Sequence, residues 1–191
     1  MHDTPREQAA RRGPEPADGP AAPQSPPVNI FNARHPHAWS EQVGVQGGLY
    51  NDFTAEIIVD GRAYPTVTHA YWALSTTDPQ WRERITIETD PEAARQLARH
   101  APRRPDWPAA RLAVMADLLR AKYRQHPQLA ADLLATGDAP LLADDDPRVA
   151  DGFWSGARNW LGRLLEIVRS EPAATQAGLR NPPDGEAREI R

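Results

Sequence analysis

The chain has 191 residues, 40% of them hydrophobic, with a net charge of −4, a pI near 5.9 and no cysteine. One domain with tails suits that length. The absence of thiols excludes disulfides, thiolate nucleophiles and cysteine metal sites, and the acidic balance gives the surface no general attraction for nucleic acid. No stretch approaches the roughly 20 apolar residues of a membrane span, and the N-terminus has no hydrophobic signal region, so a cytoplasmic protein without membrane contact is expected. Lys122 is the sole lysine, and all other basic charge is arginine.

Residues 1–27 hold seven prolines and no aromatic residue. Such a segment cannot bury enough apolar surface to offset its ordering entropy. Residues 171–191, ending in "NPPDGEAREIR", read likewise, which leaves a single domain at 28–170 between two disordered tails. Within it, "EIIVDGRAY" signals a β-hairpin turning at Asp60-Gly61. Pro65 and Thr66 open a helix on which Val67, Ala70, Tyr71 and Leu74 form one apolar face. Asp78-Pro79 and Asp90-Pro91 each place a capping side chain before a proline suited to the first helical turn. Pro102, Pro105 and Pro108 interrupt the chain before a helix over 109–125, striped by Leu112, Met115, Leu119 and Tyr123. Pro127 starts another helix through Leu129, Leu133 and Leu134, which Gly137 ends. The last helix starts near Asn159, with Leu161, Leu164, Leu165 and Val168 inward. One hairpin and about six helices predict a mainly α-helical α+β domain.

Four stretches stand apart from this scaffold: "YPTVTHAYWALS" (64–75), "RPDW" (104–107), "AKYRQHPQLAADLLATGD" (121–138) and "DGFWSGARNWLG" (151–162). Their order and spacing resemble the NADAR (YbiA-like) family over residues 29–169. "NDFTAEIIVDGRAYP" is similar to that family's opening segment, an Asn-x-Phe followed by a strand, an Asp-Gly turn and an aromatic-Pro. "NWLGRLLEIVR" is similar to its closing helix. The resemblance implies hydrolysis of N-glycosidic bonds to ribose, in phosphorylated pyrimidine intermediates of riboflavin synthesis or in ADP-ribosylated guanine. It implies no cofactor. Its ligand is a small ribosyl nucleotide or an ADP-ribose-type molecule, with ADP-ribosylated DNA as a second candidate partner. Cleaving an N-ribosyl bond passes through an oxocarbenium-like centre, so it calls for a carboxylate, an acid for the departing nitrogen, and groups to hold base and phosphate.

By that resemblance Asp151, Trp107 and His69 are the catalytic candidates, and Lys122, Trp154, Asn159 and Asn51 the ligand-binding ones. The family's opening helix reads Pro-Ser-x-Glu-His, then Gln-Ala-x-Lys. Here Thr68, Trp72 and Ser75 hold the glutamate, glutamine and lysine positions, while His69 and Ala73 match. The glycine-rich loop after Trp-Gly is shortened to "WSGARN". Threonine is no anionic base and serine forms no Schiff base, so the expected function is ligand recognition with N-glycosidase activity weak or lost. The alternative is an active N-glycosidase whose carboxylate comes from Glu56, Asp138 or Asp151. In a third reading the domain is a scaffold for a partner protein, with Trp72 filling the pocket.

Plainer readings stand beside these. A histidine on a packed helix is commonly a hydrogen-bonded core group, Trp107 and Trp154 suit core packing, and Lys122 suits a helix flank with its head in solvent. Asp144, Asp145 and Asp146 read as a solvated loop, and no His-Glu-x-x-His or comparable spacing points to a metal. Arg95, Arg99, Arg103, Arg104 and Arg111 read as a surface balanced by Glu92 and Asp106, or, more sharply, as a phosphate or nucleic-acid contact. Because residues 1–27 offer no aliphatic cluster, their removal is expected to leave the thermal midpoint nearly unchanged; a midpoint lowered by many degrees would show that they pack on the domain.

Overall fold

The structure is a computed structural model that describes residues 25–31, 47–143, 153–156 and 158–179. Among these residues the order is β1 (Val28–Phe31), a 3-10 turn (Gly47–Leu49), β2 (Ile57–Val59), β3 (Arg62–Tyr64), α1 (Val67–Leu74), α2 (Pro79–Thr86), α3 (Pro91–His100), α4 (Trp107–Gln125), α5 (Pro127–Ala135), β4 (Leu141–Ala143) and α6 (Trp160–Gln176). This is the mainly helical α+β architecture expected. The hairpin β2–β3 turns at Asp60 (φ 50°) and Gly61 (φ 75°). Two successive positive φ values match the twist of paired strands, which is why Asp-Gly suits the position.

The helix starts follow the capping chemistry. The Thr66 side chain accepts the His69 amide at the head of α1, the Asp78 carboxylate accepts Gln80 and Trp81, and the Asp90 carboxylate accepts Glu92 and Ala93. Each such cap is worth about 0.5–2 kcal/mol. Pro108 does not interrupt the chain ahead of α4. It lies inside its first turn, where a missing N–H costs nothing, and the helix begins at Trp107.

Helix α1 is the hub, packing on α2, α3 and α4, while α4 also packs on α5, α6 and β2. Val67, Ala70, Tyr71 and Ala73 are buried on α1, as are Met115, Leu119 and Tyr123 on α4 and Leu161, Leu164, Leu165 and Val168 on α6. Leu134 departs from the expected stripe: it is exposed, while Leu133 is buried and Leu129 and Ala130 pack against the core from the same helix. The final helix continues to Gln176, so helical order passes the boundary expected at residue 170. One cavity, of about 470 Å³, is bordered by Phe53, Glu56 and His126, so of the candidate carboxylates Glu56 lines it. Another of about 510 Å³ lies between α4, α5 and α6, bordered by Tyr123, Leu133 and Val168.

The parallel pair β1–β4 has no counterpart in the sequence reading. Val28 pairs with Leu141 and Asn29 with Leu142. Helix α6 completes the exposed edge of β4 with side chains: the Leu141 amide donates to the Glu166 carboxylate (2.8 Å), the Ala143 amide donates to Asn159 Oδ1 (2.9 Å), and Asn159 Nδ2 donates to the Leu141 carbonyl (2.8 Å). Such close approach requires Gly162, where a Cβ atom would lie 1.9 Å from the Leu141 oxygen and 2.5 Å from Asn159 Nδ2. Gly162→Ala is therefore expected to push β4 from α6 and destabilise the domain by about 1–3 kcal/mol, measurable by urea unfolding; a variant as stable as the parent would refute this close docking.

Candidate functional site

The segment Tyr50–Phe53, between the 3-10 turn and the hairpin, carries three anchors in three successive residues. Lys122 Nζ, from α4, donates to the Tyr50 carbonyl at 2.8 Å. The Thr68 amide, at the start of α1, donates to the Asn51 carbonyl at 3.2 Å. The Thr68 hydroxyl donates to Asp52 Oδ1, and Arg95 Nη2, from α3, donates to both Asp52 oxygens at 3.1 and 3.2 Å. Arg95 also pairs with Glu92 on its own helix. Three helices thus converge on one short stretch through polar groups, and Thr68, His69, Arg95 and Lys122 are all buried.

Burial sets the electrostatics. Lys122 is 1% exposed, and loss of hydration lowers its pKa from 10.5 to about 7, against the opposing pull of Asp52. Its head lies within 6 Å of the ring centroids of Phe53 and Tyr123, a favourable position for the protonated form. The expected solvent-exposed flank lysine is therefore a core lysine. His69 has no exposed surface; Nδ1 shares a 2.8 Å hydrogen bond with the Thr66 hydroxyl, and Nε2 is buried. Burial holds its pKa below the usual histidine value, with Asp52 opposing. His69 thus ties the cap of α1 together inside the core.

The positions at which the opening helix departs from the family pattern fall on one stripe. Thr68, Trp72 and Ser75 are at i, i+4 and i+7, spanning about 10 Å along α1. Asp52 meets this stripe at Thr68. Arg103 meets it at Ser75, donating to the Ser75 hydroxyl, with its guanidinium 5.0 Å from the Trp72 ring centroid. Ser75 in turn donates to the Trp72 carbonyl (2.7 Å). The stripe is therefore flanked by a carboxylate at one end and a guanidinium at the other, both contributed by other segments. Among the other arginines, Arg104 forks onto Asp106 at 2.6 and 2.7 Å, as the surface-balance reading expected, whereas Arg95 is a buried partner of Asp52 and Arg111 lies over the Phe153 ring.

The other candidates separate by environment. Trp107 is 5% exposed and packs on Tyr71 at 4.9 Å between centroids, which makes it a core aromatic. Trp154 is half-buried and meets Tyr71 edge-on at 5.4 Å. Asn51 holds Met115 Sδ at 3.6 Å through Nδ2, and its buried Oδ1 has no hydrogen-bond partner. Asn159 spends both ends of its amide on β4, so its role is to cap that strand. Asp151 and Asp144–Asp146 lie outside the described residues. Of the stand-in carboxylates expected for the family's glutamate, Glu56 and Asp138 are exposed; the carboxylate on Thr68 is Asp52. The signal that could have found it is an acidic residue directly after Asn51, in a chain whose helix lacks its carboxylate. Among the described residues no cluster of His, Asp and Glu could hold a metal, and no helix is long and apolar enough to cross a membrane.

This geometry defines the class: a mainly helical α+β domain whose central helix presents a polar stripe beside buried lysine, arginine and aromatic side chains. The NADAR domain family model matches residues 31–171, and the chain belongs to that family. It is 36% identical over 131 residues to N-glycosidase YbiA of Escherichia coli (strain K12), covering 66% of this chain and 82% of the relative. It is 31% identical over 135 residues to N-glycosidase Npun_R5314 of Nostoc punctiforme, covering 65% and 85%. A match of 35% over 132 residues to riboflavin biosynthesis protein VVA0006 of Vibrio vulnificus covers 65% of this chain and 35% of that longer protein. The NMR structure of E. coli YbiA superposes with a TM-score of 0.67 at 28% identity, covering 87% of this chain and 93% of the other.

The lysine generates a pH prediction. A folded-state pKa below the unfolded one means that the unfolded chain binds more protons between about pH 7 and the ordinary lysine value of 10.5. Stability therefore rises with pH across that window, by at most about 1.4 kcal/mol per pH unit from this group. Urea midpoints from pH 7 to 9.5 are expected to rise for the parent and to flatten in Lys122→Met; parallel profiles would refute the buried position.

Proposed function

We propose that this NADAR domain binds a phosphorylated N-ribosyl nucleotide, or an ADP-ribose-type ligand, along the Thr68–Trp72–Ser75 stripe of α1. The observation that carries the reading is the polar character of that stripe. Asp52 and Arg103 flank it, and the half-buried Trp72 leaves it unsealed. An interaction scaffold with a collapsed pocket would gain more from apolar side chains there, because buried charge is costly without a function.

The chemistry of the flanking groups suits the ligand class. A guanidinium offers forked donors to phosphate oxygens, and Arg103 keeps exposed surface while touching Ser75 and Trp72. Trp154 is the available aromatic for a base, since Trp107 is enclosed in the core. Asn51 brings an amide oxygen without a protein partner beside the same segment. Names of relatives support the same class: two are N-glycosidases and one is a riboflavin biosynthesis protein. With threonine and serine at the glutamate and lysine positions, chemistry through those two side chains is absent from this helix. The ribosylated-DNA partner has less support, because Arg104 is neutralised by Asp106 and Arg95 by Asp52 and Glu92.

Titration with a ribosylaminopyrimidine 5′-phosphate or with ADP-ribose is expected to quench tryptophan fluorescence. Trp154→Ala is expected to weaken binding by about 1–3 kcal/mol, the usual worth of base–aromatic stacking. Arg103→Ala is expected to weaken the phosphorylated ligand and leave the dephosphorylated nucleoside unaffected. Absence of saturable binding for either ligand would overturn the proposal.

A further inference from the structure

We propose that Asp52 is the catalytic carboxylate of this domain, placed beside Thr68 where the related helix carries its glutamate. The inference rests on the ligand reading above and adds to it that hydrolysis is retained by a different residue. Thr68 is not an unpartnered polar position on the helix: its hydroxyl donates to Oδ1 of Asp52. A glutamate at position 68 would extend its carboxylate two bonds beyond the position of that hydroxyl, into the space the Asp52 carboxylate borders. Two carboxylates at hydrogen-bond distance do not both stay ionised, because the like charges raise the pKa of one of them. An acidic residue at 52 and a neutral donor at 68 therefore form one arrangement, with the charge moved from the helix to the segment facing it.

Asp52 also has the access a catalytic group needs. Its side chain is 15% exposed, against 9% for Arg95, and Thr68 is 5% exposed as a residue, so of the three hydrogen-bonded groups facing α1 it is the one nearest solvent. Oδ1 is occupied by the Thr68 hydroxyl and Arg95, while Oδ2 accepts Arg95 Nη2 alone and keeps a lone pair. Thr68 and Arg95 are positioning residues: they fix the rotamer and aim that lone pair. Stability gives no comparable reason for the arrangement, because a buried ion pair seldom outperforms apolar packing of similar volume.

In the reaction, Oδ2 takes a proton from a water molecule as the water oxygen bonds to C1′ of the ribose. The C1′–N bond breaks, its electron pair passes to the base nitrogen, and that nitrogen takes a proton from solvent. Asp52 then returns its proton to solvent. The products are the free base and ribose carrying the new hydroxyl, so atoms and charge balance with water as the co-reactant.

The test uses the full chain with a ribosylaminopyrimidine 5′-phosphate as probe, following release of ribose 5-phosphate and, separately, binding by fluorescence. The parent is expected to turn the probe over. Asp52→Asn, which keeps an acceptor for Thr68, is expected to lose roughly 10²- to 10⁴-fold in rate with binding changed only a few-fold. Asp52→Asn combined with Thr68→Glu returns the carboxylate to the helix and is expected to recover at least tenfold over the single variant, which a structural role for Asp52 does not predict. Should Asp52→Asn not fold, Thr68→Val keeps the Asp52–Arg95 pair and is expected to lower kcat by a larger factor than it raises the dissociation constant read by fluorescence. Binding without turnover by the parent, or turnover indifferent to these substitutions, overturns the role of Asp52 and leaves the binding proposal standing. No binding at all overturns the binding proposal itself.

Discussion

The arrangement depends on one constraint: the backbone of Tyr50–Asp52 is pinned in a place that water cannot reach freely. A carbonyl buried without a partner costs on the order of 1–3 kcal/mol, and here two successive carbonyls and a carboxylate must be satisfied together. The donors come from α4 (Lys122), α1 (Thr68) and α3 (Arg95). Because each donor belongs to a different helix, the segment joins the helices as much as they hold it. Charge is buried there at a cost, and Arg95 offsets part of it by donating from Nη2 to both Asp52 oxygens and from Nη1 to Glu92.

That junction explains why chemistry-bearing side chains gather at α1. The helix is short, eight residues, and its apolar face is consumed by packing on its neighbours. The stripe left over, Thr68, Trp72 and Ser75, can only be approached by other segments. Asp52 reaches it from the segment between the 3-10 turn and β2, and Arg103 from the loop between α3 and α4. A loop tethered to rigid helices can bring a charged group to a fixed point without interrupting a helix. Function in this fold therefore depends on what surrounds the helix as well as on the residues the helix carries.

The same logic holds at the far end of the domain. Strand β4 is three residues long and pairs with β1 on one side. Its other edge would be left with unpaired amides and carbonyls. Asn159, at a positive φ of 44°, turns its amide onto that edge, Glu166 accepts a further amide, and Gly162 lets the backbone approach. A residue read as a ligand contact is thus used to close a sheet edge.

Local rules were enough for much of this molecule. Asp78, Asp90 and Thr66 announce helix starts because a cap acts within three residues, Asp60-Gly61 announces its turn because backbone sterics are local, and the apolar stripes of α4 and α6 announce a helical core. The family resemblance was legible for a related reason, since it rests on runs of consecutive residues. The tertiary structure alone decided the rest. The β1–β4 pair joins segments more than 100 residues apart, and neither three- or four-residue run carries a period that identifies its partner. Position 68 read alone is a lost carboxylate, and position 75 a lost amine. Only folding brings Asp52 from 16 residues away and Arg103 from 28 residues away to those two points, because the charge that a cleft contains is set by distance through space and not by order along the chain.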